Sequence, residues 1–148
     1  MKYLFTAFLA ITLCASAAQA AKGLQLKSLP PAVQKAIQDE AKGAEIKNIA
    51  KETENGVVQY EVETMIGGKR RDFNVDIKGT VLLVEEESTI DVFPAAAKAA
   101  IMKKVGDGKL GLVELFKRGG ETMYEAAYTT KAGKKHEMLV KADGAETK

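Results

Sequence analysis

The chain has 148 residues, 46% hydrophobic and 28% charged, with a formal net charge of +2 and no long stretch of one sign. Such a balance leaves no electrostatic footprint for nucleic acid, and an apolar fraction of this size with regular patterning belongs to a globular chain. One histidine and one cysteine leave few side chains for metal or nucleophilic chemistry.

Residues 1–20 read as a signal peptide: Lys2 is a charged start, Tyr3 to Cys14 an apolar run, and Ala18-Gln19-Ala20 a small-residue cleavage site. The run falls short of the roughly 20 apolar residues that span a bilayer. The mature chain is therefore expected to be extracytoplasmic, in the periplasm or secreted, and free of the membrane. Leu13 stands before Cys14, where acylated cysteines generally want a small residue, so Cys14 is expected to leave with the signal. The chain beyond Ala20 has no cysteine and relies on its core rather than on disulfides. Residues 21–28 and Ala145 to Lys148 read as loose ends.

Residues 29–87 form a first unit. Pro30-Pro31 suits the first turn of a helix, where a missing N–H costs nothing. Val33, Ala36, Ile37 and Ala41 make one apolar stripe at helical spacing, and Lys42-Gly43 ends it. The period then falls to two: strands are predicted over Ile46 to Thr53, Val57 to Ile66, Arg70 to Lys78 and Thr80 to Glu86, joined by turns at Asn55-Gly56, Gly67-Gly68 and Gly79. Val81 to Val84 is apolar on both faces and is placed at a junction.

Residues 88–148 repeat the unit. Phe93-Pro94 answers Leu29-Pro30; Ala97, Ala100, Ile101 and Val105 repeat the helical stripe; Gly120 and Tyr124-Glu125 answer Gly56 and Tyr60-Glu61 at constant spacing. From Gly68 and Phe73/Val75 to Gly133 and Met138/Val140 the spacing is one residue greater, which puts the insertion in a hairpin. After Asp143-Gly144 little chain remains, so the second copy lacks most of its fourth strand. Two units of about 60 residues are each marginal alone and are expected to pack together. The fold class is α+β: two tandem α-β-β-β-β units, each a helix on an antiparallel sheet, the second truncated.

This pattern resembles PepSY-like domains. It is carried by Leu29-Pro30-Pro31, Asn55-Gly56, Tyr60-Glu61-Val62 and Asp76-Ile77-Lys78-Gly79, then by Phe93-Pro94, Gly119-Gly120, Tyr124-Glu125-Ala126 and Asp143-Gly144. Two such units behind a signal peptide are similar to exported bacterial β-lactamase-inhibitor-like (PepSY-like) proteins. The resemblance implies a helix-on-sheet fold, an extracytoplasmic location and a role in binding or inhibiting other proteins, peptidases among them.

Enzyme chemistry is not expected. His136 stands alone beside Lys134-Lys135, and Ser28 and Ser88 lie outside any nucleophile pattern. No cofactor is expected, and one histidine without cysteine cannot build a tetrahedral zinc site. Glu61, Glu63, Asp72, Asn74 and Asp76 should share the wet face of the first sheet, where they read either as a solvated face neutralised by Lys69, Arg70, Arg71 and Lys78 or as oxygen ligands for a cation such as calcium. Glu85-Glu86-Glu87 reads as the exit from a strand. Tyr60 and Tyr124 fall on the apolar parity and read as core rings. The second sheet carries an apolar surface: Met123, Ala127 and Leu139 stand on its wet face, and Leu110 to Phe116, with Leu112, is apolar on both parities. Two occupants are open for it, an unknown protein or peptide partner, or another part of the same protein, the first unit or a second copy in a homodimer. The function expected is an exported non-enzymatic binding module, with a small-ligand or calcium-binding protein as the alternative.

Overall fold

The computed structural model describes residues 23–54 and 56–147. The expected signal peptide over residues 1–20, Asn55 of the expected first turn and Lys148 lie outside them. The elements, in order, are α1 (Pro31–Ala41), β1 (Glu45–Glu54), β2 (Val57–Ile66), β3 (Lys69–Asp76), β4 (Val81–Glu87), α2 (Ala95–Val105), β5 (Lys109–Arg118), β6 (Glu121–Thr129) and β7 (Lys135–Val140), with 3-10 turns at Leu26–Ser28 and Ile90–Val92 ahead of the helices. The fold is α+β, as expected. The sheets are not two, however, but one antiparallel seven-stranded sheet in strand order β1 to β7. Its seam is the pairing of β4 with β5, from Leu83 opposite Arg118 to Glu87 opposite Glu114.

Both helices cover the same face. Val33, Ile37 and Ala41 of α1 pack with Ile49, Tyr60, Val62, Phe73 and Val75, and Ala97, Ile101 and Val105 of α2 pack with Val113, Ala126, Met138 and Val140. Opposed residues share a face. Phe73 stands opposite Val84, Val84 opposite Lys117, and Leu115, two residues from Lys117, packs on the second cluster. Tyr60 is buried in the first cluster and Tyr124 half-buried against the second, its ring 4.9 Å from Phe93, so both rings face the helices.

Where the two clusters meet on the helix side, the carboxylates are paired. Arg71, 8% exposed, donates from Nη1 to the Glu40 carbonyl at 2.9 Å, pairs through Nη2 with the Glu40 carboxylate, and reaches Glu86 through Nε at 3.2 Å. Lys117 Nζ holds the other Glu86 oxygen at 2.6 Å. One network thus ties the end of α1 to β3, β4 and β5.

The turns after β3 and β7 tuck beneath the helix starts. Gly79 sits at φ 87°, and a Cβ there would lie 2.7 Å from the Ala32 carbonyl oxygen; Gly144, at φ 82°, would meet Ala96 at the same distance. Only glycine combines that φ with that approach. The ends also differ from the loose segments expected. Leu24 N–H donates to the Ile49 carbonyl, and beyond Gly144 the chain returns along β7, with Val140 bridged to Glu146 and Thr147 N–H donating to the Leu139 carbonyl. Unpaired ladder groups at a strand edge draw in whatever chain is at hand.

Candidate functional site: the helix-free face of the sheet

Register decides what the other face carries. Glu61 and Asn74 are opposite, as are Asp72 and Glu85, Glu85 and Phe116, Phe116 and Met123, Glu114 and Glu125, Glu125 and Leu139, and Ala127 and Glu137. Acidic residues expected on one sheet and apolar residues expected on another are therefore one continuous surface. No described element covers it.

Its centre is apolar and its flanks are acidic. Phe116 is 2% exposed and Leu83 8% exposed, yet neither belongs to a helix-side cluster. The Arg118 guanidinium lies over the Phe116 ring at 5.1 Å. Met123, Ala127, Leu139 and Leu112 are half-buried on the same parity. The expectation that Val81 to Val84 is covered on both sides holds only in part: β4 is the central strand, but Leu83 is enclosed by neighbours on the open face rather than by a second layer.

The carboxylates here have raised affinity for protons. Burial pushes Glu61 up to about 7, with Glu52, Glu63 and Asp72 adding to the rise. Burial also pushes Glu85 up to about 7, reinforced by Glu125, Glu114 and Asp72 and opposed by Arg70. Glu125 rises to about 7 by burial and by the charges of Glu114 and Glu137. Glu114 is raised chiefly by burial. Desolvation disfavours the charged carboxylate and like charges add to it.

The residues expected to hold a cation are mostly engaged otherwise. Asp72, 4% exposed, accepts from the Thr64 N–H at 3.0 Å and pairs with Arg70 at 2.8 Å. Glu63 accepts from Asn48 at 3.2 Å. Asp76 accepts from the N–H groups of Thr80 and Lys78, both at 2.8 Å, and these hold its carboxyl below the usual range. It is a turn residue. Of the four only Asp72 makes an ion pair among the described residues, and those residues contain no group of three His, Cys, Asp or Glu placed to hold a metal. His136 is exposed and stacks on Tyr128, their centroids 5.3 Å apart. Ser28 Oγ donates to the Gln25 carbonyl at 2.7 Å. Neither stands beside the other as nucleophile and base would.

Sequence reasoning passes over Glu85 and Glu114 as site residues, and places Leu83 at a junction rather than on this open face. In sequence Glu85 reads as a strand exit, and Glu114 is lost in a run dominated by leucine. Glu125 carries a usable signal: it comes after Tyr124 as Glu61 comes after Tyr60, and in both pairs the tyrosine turns to the helix and the glutamate to the open face.

No described helix is long and apolar enough to cross a membrane. No family model matches the chain, and no curated protein does. Solved structures share its fold. A BLIP-like protein from Bacteroides fragilis NCTC 9343 is 21% identical with a TM-score of 0.60, over 81% of this chain and 84% of that one. A DUF2874 family protein from Bacteroides uniformis ATCC 8492 is 15% identical with a TM-score of 0.65, over 80% and 86% of the two chains. A protein inferred to be periplasmic from Bacteroides eggerthii DSM 20697 is 17% identical with a TM-score of 0.66, over 81% and 86%. At these identities the likeness is one of fold.

Proposed function

We propose that this chain is an exported, non-enzymatic binding module that docks a protein partner on its helix-free sheet face, as an inhibitor or interaction domain. In this reading it is a tandem of two PepSY-like units, residues 29–87 and 88–148, released to the extracytoplasmic space by cleavage near Ala20. The observation that carries the reading is the helix-free face itself. Phe116 and Leu83 are buried there outside both cores, with half-buried Met123 and Leu139 nearby, on a surface that no described element covers. What a partner can reach there is the open part of Met123, Ala127 and Leu139, since Phe116 and Leu83 are screened by their neighbours, and an apolar strip of that kind between polar flanks is what an interface uses. The cation-binding alternative has less support, because Asp72, Glu63 and Asp76 are already satisfied by protein groups.

The test is capture from the native extracytoplasmic fraction with the mature chain as bait, Leu139→Lys as control, and calcium present or chelated. A protein enriched by the wild type and lost in a normally folded variant supports docking. Equal capture by both baits, or capture of this chain alone, counts against it.

A further inference from the structure

We infer that the partner segment seated on the helix-free face is cationic, an extended stretch of protein whose sheet-facing residues, every second one along the chain, are in turn lysine or arginine and apolar. The inference rests on the docking reading above and adds the chemistry of the partner.

Three successive strand pairs set carboxylates directly against one another: Asp72 against Glu85 between β3 and β4, Glu87 against Glu114 between β4 and β5, and Glu114 against Glu125 between β5 and β6. Like charges directly opposite destabilise a sheet. Among the described residues Glu85, Glu114 and Glu125 make no ion pair, and the arginines of this face are occupied, Arg70 by Asp72 and Arg118 over the Phe116 ring. The chain does not lack cations, since it has 22 basic residues. On the helix side of the same strands it places Arg71 and Lys117 so that Glu40 and Glu86 are both paired. One face of the seam is thus neutralised from within, while the other holds unpaired carboxylates, Glu85 and Glu125 among them, that are charged above about pH 7.

The spacing suits a strand-like guest. Across the sheet, acidic and apolar side chains adjoin at about 5 Å, the distance between opposed residues: Glu85 stands opposite Phe116, and Glu125 opposite Leu139. An extended segment turns alternate side chains to one surface and can offer cations to the one set and an apolar group to the other. Two copies meeting through this face would oppose acid to acid, which disfavours a symmetric dimer.

The probe is a fluorescent peptide of Lys-Ser-Leu-Ser repeats, which turns lysine and leucine in succession to one surface, with a Glu-Ser-Leu-Ser counterpart, titrated against the mature chain. The lysine peptide should bind and the glutamate peptide should not, and binding should weaken at least about tenfold between low and physiological salt. The triple variant Glu85→Gln, Glu114→Gln, Glu125→Gln should lose about tenfold or more in affinity while its melting temperature holds or rises, because the substitutions relieve repulsion. Equal binding of the two peptides, or an unchanged affinity in the triple variant, overturns the inference. A native partner kept by the triple variant but lost in Leu139→Lys would sink the cationic segment and leave docking standing; a partner kept by both would sink both. Self-association, read by light scattering and abolished by Lys134→Glu with Lys135→Glu, would make a second copy the occupant and also overturn it.

Discussion

Replacing Glu85 by Gln is expected to stabilise the protein above neutral pH, an uncommon result for a half-buried position. In the folded chain the Glu85 carboxyl is pushed up to about 7, from an ordinary 4.5, by burial and by Glu125, Glu114 and Asp72, with Arg70 acting the other way. Between those two values the folded protein keeps a proton that the unfolded chain releases, so stability falls as pH rises from 4.5 through about 7. The full difference amounts to about 3 kcal/mol, and solvent reaching the rest of the side chain reduces the expectation to about 1–2 kcal/mol. Glutamine is neutral throughout. The variant should therefore exceed the wild type by about 1–2 kcal/mol near pH 8 and match it near pH 4.5. Adding Glu125→Gln should give less than twice the effect, because the Glu125 charge is part of what raises Glu85. Urea unfolding across this pH range reads the difference directly. A Glu85→Gln protein less stable than wild type at pH 8, or a gap that persists at pH 4.5, would refute the reasoning.

Gly79→Ala should lower stability by about 2 kcal/mol or more, from the positive φ together with the close approach of the Ala32 carbonyl; chemical denaturation measures it, and an unchanged midpoint would show that the turn is free to move. Arg71→Ala should cost about 2–3 kcal/mol by taking from Glu40 its close cation and leaving it Lys42 at 3.9 Å, and a double-mutant cycle with Glu40→Gln should recover part of that loss. Leu83→Asp puts a carboxylate into the apolar centre of the open face, on the strand that brings the first half to the seam. It should lower the melting temperature in a single transition, and two separate transitions would show that the halves do not share one cooperative sheet.

Much of the architecture could be read from local pattern. The stripes at Val33, Ile37, Ala41 and at Ala97, Ile101, Val105 mark two helices, and each is buried as the spacing requires. Strand ends were legible to within a few residues, because alternation reports which side chains seek a core. The wet parity was legible too: Glu61, Glu63, Asp72, Met123 and Leu139 all stand away from the helices. Local pattern does not reveal which edges meet. The pairing of β4 with β5 joins residues far apart in sequence, and no periodicity encodes such a partnership.

The amino-acid order by itself determined the helices, the alternating strands, the turns at Gly79 and Gly144 and the division of side chains between a dry and a wet parity, since each depends on propensity and spacing within a few residues. Only the tertiary structure decided that the strands form one sheet with both helices on one side. That arrangement sets Asp72 against Glu85 and Glu114 against Glu125, and lets Arg71 and Lys117 neutralise the opposite face. The physical reason is that charge repulsion, burial and a raised proton affinity belong to distances between side chains, and those distances exist only once distant strands are paired.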